Sequence, residues 1–443
     1  MKYKEKELRV NTVTPIVIIG GGAGGLELAA KLGRKHGPDK VYLVDKDTDH
    51  IWKPSLHEVA AGTLDIHREG LSYFMLARDC HFTFILGALE GLDREKKVIH
   101  VAAAQNEAGQ TLFPARTIAY GTLVIAVGSK SNFFNTPGAA EHAITLDATA
   151  QAEHFRMQLL HALTQHQGTA AVDTTAEPVR IAIVGGGATG VELAAELTEA
   201  VASLHFYGAN TFTPERHLSI TLIEGADRIL AALPPELSAR ATQLLHDRGI
   251  TVRTGVRVTE VQANQLVDQN GECYAADLCV WAAGIQAPVF LTTLGLETNR
   301  IHQLVVNERL ETVDPSIYAM GDCAQAPWVG EDAYLPARAQ VAHQQANYLR
   351  RVLDAKIKGQ SHTAPFTYKD YGSLVAVGHS KGVGSLMGVL SGKSWFVEGL
   401  VARMMYMSLH LMHHAAVLGV LRTFSLALGR LLLKRSAPRI KLH

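Results

Sequence analysis

The chain has 443 residues, of which 47% are hydrophobic and 19% charged, so it is long enough for two or three domains and globular rather than disordered. Lysine plus arginine and aspartate plus glutamate each number 42, and this balance argues against a general nucleic-acid-binding protein. The four cysteines form no CxxC pair, which excludes a zinc ribbon and a thioredoxin-type redox pair.

The first predicted element is a buried parallel strand at Ile16–Ile19, an apolar run too short for a secretion signal, so we expect no such signal. Three glycines follow it in the pattern GxGxxG: Gly20, Gly22 and Gly25. In a dinucleotide-binding unit the first permits a tight turn, the second lets a pyrophosphate approach, and the third lets helix and strand pack closely. The next strand, residues 40–45, ends in Asp45, whose carboxylate can accept hydrogen bonds from ribose hydroxyls.

The chain carries a second copy of this unit after a predicted strand at residues 181–184. Its glycines follow the same pattern: Gly185, Gly187 and Gly190. Residues 203–218 extend the helix or insert a loop, and the next strand then ends in Glu224. A carboxylate repels a 2′-phosphate, so Glu224 predicts NADH rather than NADPH.

Two copies of one nucleotide-binding unit predict two dinucleotides. We expect one to be FAD, which stays bound, and the other NADH, which binds and leaves as a substrate. Because electrons must move between them, we expect the two units to face each other.

The C-terminal end is apolar and basic. From Lys393 onward, eight lysines and arginines accompany a single acid, and the uncharged run Met404–Leu421 is at the short limit for a membrane span. We expect a helix in the plane of the membrane interface, with these basic residues on lipid phosphates: Arg403, Arg422, Arg430, Lys434 and Arg435. A dimerisation helix pair and a single span are the alternatives.

Three histidines of this end, His410, His413 and His414, invite a metal-site interpretation. However, His410 and His414 share a helical face with Arg403, which predicts the polar edge of an amphipathic helix. We therefore expect no metal ion.

Three further segments each end a predicted strand with a small residue or glycine: YGTLVIAVGS (120–129), ADLCVWAAGI (276–285) and TVDPSIYAMGDCA (312–324). In this order, with the two glycine loops, they resemble the two-dinucleotide-binding-domain flavoproteins of the glutathione-reductase-like fold. The resemblance implies an α/β fold with two Rossmann-like domains, one for FAD and one for NADH. It implies that Gly128 and Asp322 contact FAD and that Gly284 contacts NADH.

Within that superfamily the chain most resembles the type II NADH:quinone oxidoreductases. The segment HIWKPSLHEVAAGTLD (50–65), which includes Lys53, is similar to the family's segment against the flavin. The segment ARAQVAHQQA (337–346) matches the family's quinone-site pattern AQxAxQ, and a basic amphipathic C-terminal region is where this family docks on membranes. The disulfide reductases of the same fold need a redox cysteine pair that is missing here.

The resemblance assigns three catalytic residues. Glu192, two positions after Gly190, would orient the nicotinamide or relay protons; the alternative is an acid that favours the helix's first turn, since Glu27 holds the matching place in the first copy. Gln340 and Gln344, four apart on one helix face, would bind the quinone; the alternative is an ordinary surface helix.

The sequence thus predicts a discontinuous FAD domain (13–150 and 290–370), an NADH domain (151–289) after a flexible connector at 165–178, and a membrane-associating region (371–443). The predicted function is a non-proton-pumping NADH:ubiquinone or NADH:menaquinone oxidoreductase, peripheral on the cytoplasmic side of the cell membrane if the source is bacterial, with a homodimer as one possible assembly. The alternatives are a flavin reductase linked to sulfide or to a redox protein, and a non-enzymatic redox sensor.

Overall fold

The computed structural model describes residues 14–106, 108–170, 177–204, 214–377, 382–387 and 394–433. Its helices are α1 (Ala23–His36), α2 (Leu56–Ala61), α3 (Ile66–Glu69), α4 (Tyr73–Cys80), α5 (Ala139–His142), α6 (Thr149–Ala170), α7 (Ala188–Ser203), α8 (Pro214–His217), α9 (Pro235–His246), α10 (Ala339–Ile357), α11 (Gly399–Leu418) and α12 (Val420–Leu433).

The strands are β1 (Ile16–Ile19), β2 (Val41–Asp45), β3 (Asp49–His50), β4 (Leu71–Ser72), β5 (Thr83–Leu86), β6 (Leu89–Asp93), β7 (Val98–Val101), β8 (Ala104–Gln105), β9 (Thr111–Phe113), β10 (Arg116–Ala119), β11 (Thr122–Ile125), β12 (Lys130–Ser131), β13 (Ile144–Thr145), β14 (Val179–Val184), β15 (Leu218–Glu224), β16 (Thr251–Thr254), β17 (Val258–Gln262), β18 (Gln265–Asp268), β19 (Cys273–Ala275), β20 (Leu278–Trp281), β21 (Ile285–Gln286), β22 (Leu304–Val305), β23 (Ile317–Ala319), β24 (Ala324–Gln325), β25 (Gly372–Ala376), β26 (Gly382–Met387) and β27 (Ser394–Glu398).

The described residues form two compact units. Unit 1 takes those within Met1–His50, Leu71–Gly128 and Ala287–Tyr368, and unit 2 takes those within Ile51–Gly70, Ser129–Gln286 and Lys369–His443. The sequence-based domains are defined by the cofactor that each would bind, whereas these units are defined by compactness. The bounds of the sequence-based domains stay a prediction.

Unit 1 is built on a five-stranded parallel sheet in the order β23-β11-β1-β2-β5. All four residues of β1 are buried, because the strand lies at the centre of the sheet and both of its faces are covered. Helix α1 packs against α10 at Gly24, where a Cβ atom would lie 3.3 Å from the Cβ of Ala342. The small side chain of Ala342 therefore serves helix packing.

Unit 2 repeats this architecture with a parallel sheet in the order β13-β20-β14-β15-β16. Its main core joins the sheet to α6, α7 and α9, and Phe155 and Leu193 are fully buried there. Helix α2 packs on α6 and α7, and α11 packs on the antiparallel sheet β25-β26-β27. Residues 51–70 and the C-terminal region thus contribute to this unit.

Two expectations about connections change. The expected flexible connector at 165–178 is helical as far as residue 170, because α6 continues beyond its buried Leu159 and Leu163; residues 171–176 lie outside the described residues. In the segment 203–218, α7 ends at Ser203 and α8 precedes β15, while residues 205–213 lie outside the described residues.

The C-terminal region consists of the two helices α11 and α12. In the part of the chain that the structure describes, no helix is both long and apolar enough to cross a membrane. Lys434 and Arg435, which the sequence assigns to lipid contact, lie outside the described residues.

The prediction that His414 lies on an exposed polar edge is wrong. His413 and His414 are both buried, and the ring of His413 lies 4.5 Å from that of Trp52. The reason is that this face of α11 is covered within unit 2, which one helix's periodicity cannot reveal. Among the described residues, no group of three histidine, cysteine or acidic side chains has a geometry that could hold a metal ion.

Candidate functional site

The predicted FAD residues of unit 1 follow strands that end at one edge of its sheet. Since the strands run parallel, their carboxyl ends lie side by side, as in dinucleotide-binding folds. The residues brought to this edge are Gly20 after β1, Asp45 at the end of β2, Gly128 after β11 and Asp322 after β23.

The first glycine loop has the geometry that a dinucleotide requires. Gly20 has φ +98°, a left-handed conformation, and a Cβ atom there would lie 2.7 Å from the carbonyl carbon of Ala126. A Cβ at Gly25 would overlap the carbonyl oxygen of Gly20, so only glycine at position 25 lets α1 pack this closely against the end of β1. By contrast, no atom of the described residues lies within 4 Å of a Cβ at Gly22. Open space therefore remains at the N-terminus of α1, where free N–H groups favour a pyrophosphate.

The carboxyl of Asp45 contacts the first glycine loop through a hydrogen bond from the loop backbone. Its Oδ2 accepts a hydrogen bond from the Gly21 N–H at 2.5 Å, and its Oδ1 accepts one from the Asp47 N–H at 2.9 Å. Burial raises the pKa of the Asp45 carboxyl, and the two N–H donors oppose this shift. The carboxyl thus sits beside the loop at the place expected for a ribose-binding acid.

The second glycine loop, in unit 2, reproduces the first. Gly185 has φ +112°, and a Cβ there would lie 2.6 Å from the carbonyl carbon of Ala282. A Cβ at Gly190 would overlap the carbonyl oxygen of Gly185, whereas a Cβ at Gly187 would meet no atom within 4 Å in the part of the chain that the structure describes. The open position is again the middle glycine, at the N-terminus of α7.

Glu224 occupies the place in unit 2 that Asp45 has in unit 1. Its Oε2 accepts a hydrogen bond from the Gly186 N–H at 2.5 Å, and its Oε1 accepts one from the Ala226 N–H at 2.7 Å. The longer sequence gap before Glu224 therefore does not displace it from the glycine loop. Gly284 follows β20, the neighbour of β14 on the side opposite Glu224.

Lys53 stands apart from the other predicted FAD residues, because it belongs to unit 2. Its Nζ donates a hydrogen bond to the carbonyl oxygen of Ser129 at 2.7 Å and lies 3.9 Å from an Asp147 carboxylate oxygen. Its side chain is 44% exposed, so the ammonium can reach an additional anionic partner.

Glu192 lies deeper in its helix than the sequence suggested. Helix α7 begins at Ala188, so Glu192 is in the second turn, and the first-turn explanation for an acid no longer applies. Its Oε1 accepts a hydrogen bond from the Ala376 N–H at 3.0 Å, and its Oε2 lies 3.5 Å from Nδ1 of His57. All of these groups belong to unit 2.

Burial shifts the pKa of Glu192 and that of His57 in opposite directions. Burial raises the pKa of Glu192 to about 8, the Ala376 N–H lowers it, and the nearby Glu58 and Glu196 raise it further. Burial also lowers the pKa of His57 to about 4. Both directions favour the uncharged forms, so Glu192 holds a proton that its carboxyl can donate.

Glu27, the counterpart of Glu192 in the first copy, has different partners. It is 1% exposed, and one carboxylate oxygen lies 2.9 Å from Nζ of Lys31 and 2.7 Å from Nδ1 of His343. Glu27 thus has a lysine beside it, whereas the groups described above for Glu192 are a backbone N–H, a buried imidazole and two nearby carboxyls. The two copies share a backbone position but not a chemistry.

The two predicted quinone-site glutamines lie on α10 of unit 1. Oε1 of Gln340 accepts a hydrogen bond from the Tyr368 hydroxyl at 2.6 Å, and Gln344 is half-buried one turn further along. The neighbouring Gln345 is buried and accepts a hydrogen bond from the Gly321 N–H at 2.7 Å. This contact ties α10 to the turn that carries Asp322.

Comparisons with known proteins agree with this geometry. The model of the family "pyridine nucleotide-disulphide oxidoreductase" matches residues 14–346. The chain is also 40% identical over 444 aligned positions to the type II NADH:quinone oxidoreductase of Haemophilus influenzae, covering 97% of this chain and 99% of that protein. The chain belongs to the type II NADH:quinone oxidoreductase family.

Two solved structures share the fold of this type II family member. NDH2 from Plasmodium falciparum, solved in complex with NADH, has a TM-score of 0.77 at 20% identity and is covered over 100% of its chain and 97% of this one. The sulfide:quinone oxidoreductase of Aquifex aeolicus has a TM-score of 0.69 at 17% identity, with 92% of each chain covered. These likenesses confirm the predicted α/β fold with Rossmann-like sheets.

Sequence reasoning missed two residues that fix the first glycine loop of this type II family member. The imidazole Nδ1 of His50 lies 2.9 Å from the carbonyl oxygen of Gly21, and the Tyr73 hydroxyl donates to the same oxygen at 2.7 Å. Both side chains are buried, and burial raises the pKa of Tyr73 well above its usual value. Neither residue follows a recognisable spacing from the loop, so no sequence signal marks them.

Proposed function

We propose that the protein is an FAD-dependent NADH:quinone oxidoreductase that uses ubiquinone or menaquinone. FAD, when bound, accepts a hydride from NADH and passes two electrons to the quinone. The observation that carries this proposal is the pair of matching glycine loops in one chain, each with open space at its middle glycine. The 40% identical relative, named for this reaction, supports it.

The residues of unit 1 would bind FAD through its pyrophosphate and ribose. The open position at Gly22 and the N-terminus of α1 suit the pyrophosphate, and Asp45 suits a ribose. Gly128 and Asp322 border the same sheet edge, and Gly20 and Gly25 shape the loop. Lys53 belongs to unit 2 and is proposed separately as a further contact to FAD. The unit 1 residues fit the cofactor because no side chain among the described residues fills the space over Gly22.

The residues of unit 2 would bind NADH. Gly185, Gly187 and Gly190 form its pyrophosphate loop, Gly284 borders the loop, and Glu224 would accept hydrogen bonds from the adenosine ribose. Glu192, which holds a proton at pH 7, would orient the nicotinamide or supply a proton toward the quinone.

Replacing Glu224 with glutamine is expected to weaken the preference for NADH over NADPH by about tenfold in kcat/KM, because the like-charge repulsion of a 2′-phosphate is removed. The measurement is steady-state kinetics with both nucleotides. Asp227→Asn, an exposed acid three residues on, is the control and should leave the ratio unchanged. An unchanged ratio in Glu224→Gln would reject this role.

Replacing Gln344 with leucine is expected to raise the apparent KM for the quinone about tenfold, because an amide that can donate to a quinone oxygen is lost. Reduction of the flavin by NADH should stay within twofold of wild type in stopped-flow absorbance. The control is Gln243→Leu on the exposed face of α9, which should change neither quantity. Equal losses in both half-reactions would show that the substitution disturbs the fold.

The protein is further proposed to dock on a membrane surface through α12. Its apolar side chains Val420, Leu421, Phe424, Leu428 and Leu432 recur on one face and are 45–84% exposed. The opposite face is turned inward, and Thr423 there is 6% exposed. Such a helix can lie in the interface with its apolar face inserted and nearby basic residues on lipid phosphates.

The double substitution Leu421→Asp and Phe424→Asp is expected to lower binding to anionic lipid vesicles by at least about tenfold, because two exposed apolar side chains that would insert into the lipid are replaced by charges. Flotation of the purified protein with vesicles measures it. This test is sharper than removal of residues 400–443, since α11 packs within unit 2. Phe113→Asp, a 43% exposed residue of β9, is the control. Undiminished binding together with a loss of dimers in sedimentation would favour the dimerisation alternative.

The proposed reaction is non-proton-pumping and takes place on the cytoplasmic side if the source is bacterial. The test of the whole proposal is NADH oxidation by the purified protein in liposomes with a ubiquinone or menaquinone analogue, with a pH-sensitive dye inside. We expect quinone-dependent oxidation without acidification of the lumen. Turnover only with sulfide or with a redox protein would replace this function by the corresponding alternative.

A further inference from the structure

One aromatic side chain at the edge of unit 2 is exposed in a way that the fold itself does not need. The Phe134 side chain is 61% exposed, while the adjacent Phe133 packs inward with its ring 5.8 Å from that of the buried Trp281. The backbone of Phe134 has φ +50°, in the left-handed region that bulky L-residues avoid. Exposure of the ring and strain of the backbone both oppose folding, and such a combination indicates a functional role for the residue.

The strained conformation is fixed by a set of hydrogen bonds. Oδ1 of Asn132 accepts from the Phe134 N–H at 2.8 Å, and the Asn132 carbonyl oxygen accepts from Nε1 of Trp281 at 2.8 Å. The Asn132 N–H in turn donates to the carbonyl oxygen of Gly284 at 3.2 Å. The segment is therefore held against β20 and the turn after it, so the outward position of Phe134 is specified and not accidental.

The Phe134 ring lies directly on Gly284. A Cβ atom at Gly284 would lie 2.9 Å from the Cε2 atom of the ring in its present position, and the φ of +66° also favours glycine there. The backbone leading to Gly284 also borders the NADH loop, because a Cβ at Gly185 would lie 2.7 Å from the Ala283 nitrogen. The ring is therefore at the carboxyl edge of the sheet, where a dinucleotide binds in this fold.

The strand order decides which half of the dinucleotide the ring meets. Glu224 ends β15 on one side of β14, and Gly284 follows β20 on the other side. With the adenosine ribose at Glu224 and the pyrophosphate at the N-terminus of α7, the nicotinamide half extends toward β20. Phe134 stands on that side.

We propose that Phe134 is a nucleotide-positioning residue whose ring packs against the nicotinamide half of NADH, on a platform that Gly284 and the Asn132–Trp281 hydrogen bond provide. This inference rests on the proposed function for the identity of the nucleotide. An aromatic ring offers a flat, rigid surface for a nicotinamide or its ribose at little cost in side-chain entropy.

The test compares Phe134→Leu, Phe134→Trp and Phe134→Gly with wild type as flavin-loaded proteins. Calorimetric titration with NAD+ measures dinucleotide affinity without reducing the flavin, and titration with AMP measures the adenosine half alone. We expect Phe134→Leu to weaken NAD+ binding about fivefold and leave AMP binding unchanged, with Phe134→Trp within twofold of wild type. Phe113→Leu, at an exposed phenylalanine of β9 in unit 1, should change neither affinity.

Phe134→Gly separates strain from contact. Because glycine adopts a positive φ without strain, this variant should melt at the same or a slightly higher temperature than wild type and yet bind NAD+ as weakly as Phe134→Leu. Equal NAD+ affinity in wild type, Phe134→Leu and Phe134→Gly overturns the inference, and so does a parallel loss of AMP binding. If wild type binds NAD+ but reduces no quinone, the proposed function fails while the Phe134 result still stands. If wild type binds no NAD+ at all, both fail.

Discussion

Replacement of Gly187 by valine is expected to abolish reduction of the flavin by NADH while the protein still folds and keeps its flavin. Gly187 has an extended backbone with φ −72°, which valine adopts readily, and a Cβ there meets no atom of the described residues within 4 Å. The added side chain instead occupies the space that a pyrophosphate needs. We expect the affinity for NADH to fall at least about 100-fold.

The matched substitution in the first copy, Gly22→Val, should give the complementary phenotype. Gly22 has φ −65° and equally open surroundings, so this variant should fold but purify without FAD. Flavin absorbance, NAD+ titration and thermal melting together distinguish the two variants. Loss of flavin in Gly187→Val, or loss of NAD+ binding with retained flavin in Gly22→Val, would show that the assignment of the two loops is reversed.

Replacement of Glu192 by glutamine is expected to lower quinone turnover at pH 7 by about 100-fold or more, because a positioned proton donor is lost and replaced by an amide of the same shape. The protein should remain folded, since burial favours the uncharged carboxyl and the amide is uncharged as well. Steady-state and stopped-flow kinetics from pH 6 to pH 9 measure the effect. Glu236→Gln, an exposed acid of α9, is the control. Unchanged flavin reduction and quinone turnover would reduce Glu192 to a structural residue.

The same substitution has a pH-dependent effect on stability with a defined sign. The folded-state pKa of Glu192, about 8, exceeds the usual value of 4.5, so the folded state loses stability as pH rises between these values. The lowered pKa of His57, about 4 against 6.5, makes the folded state gain stability over pH 4 to 6.5. The two effects oppose each other up to about pH 6.5, and the loss due to Glu192 dominates from there to pH 8. The melting temperature of Glu192→Gln relative to that of wild type should therefore increase from pH 6.5 to pH 8.

The sequence predicts the two nucleotide loops well because their determinants are local. Gly20 and Gly185 need left-handed turns, and the acids Asp45 and Glu224 follow at the end of the next strand, so a short pattern contains the whole arrangement. The insertion before Glu224 does not disturb it, because the strand pairing of β14 with β15 fixes the position of the acid.

The remaining features depend on contacts between distant segments. Glu192 meets His57 and Ala376, more than 100 residues away on either side, and this surrounding, not the local helix, determines its protonation. His50 and Tyr73 reach Gly21 from separate elements. His414 is buried by residues outside its own helix, which the periodicity of that helix does not reveal. Such contacts carry no signature in a single sequence.

The most direct measurement of the central claim is stopped-flow absorbance of the purified protein, mixed first with NADH and then with a quinone analogue in liposomes. We expect a yellow protein with bound FAD whose flavin absorbance bleaches within one turnover on mixing with NADH and returns on mixing with the quinone. A colourless protein that takes up no flavin on reconstitution, or a bound flavin that NADH does not reduce, would contradict the account.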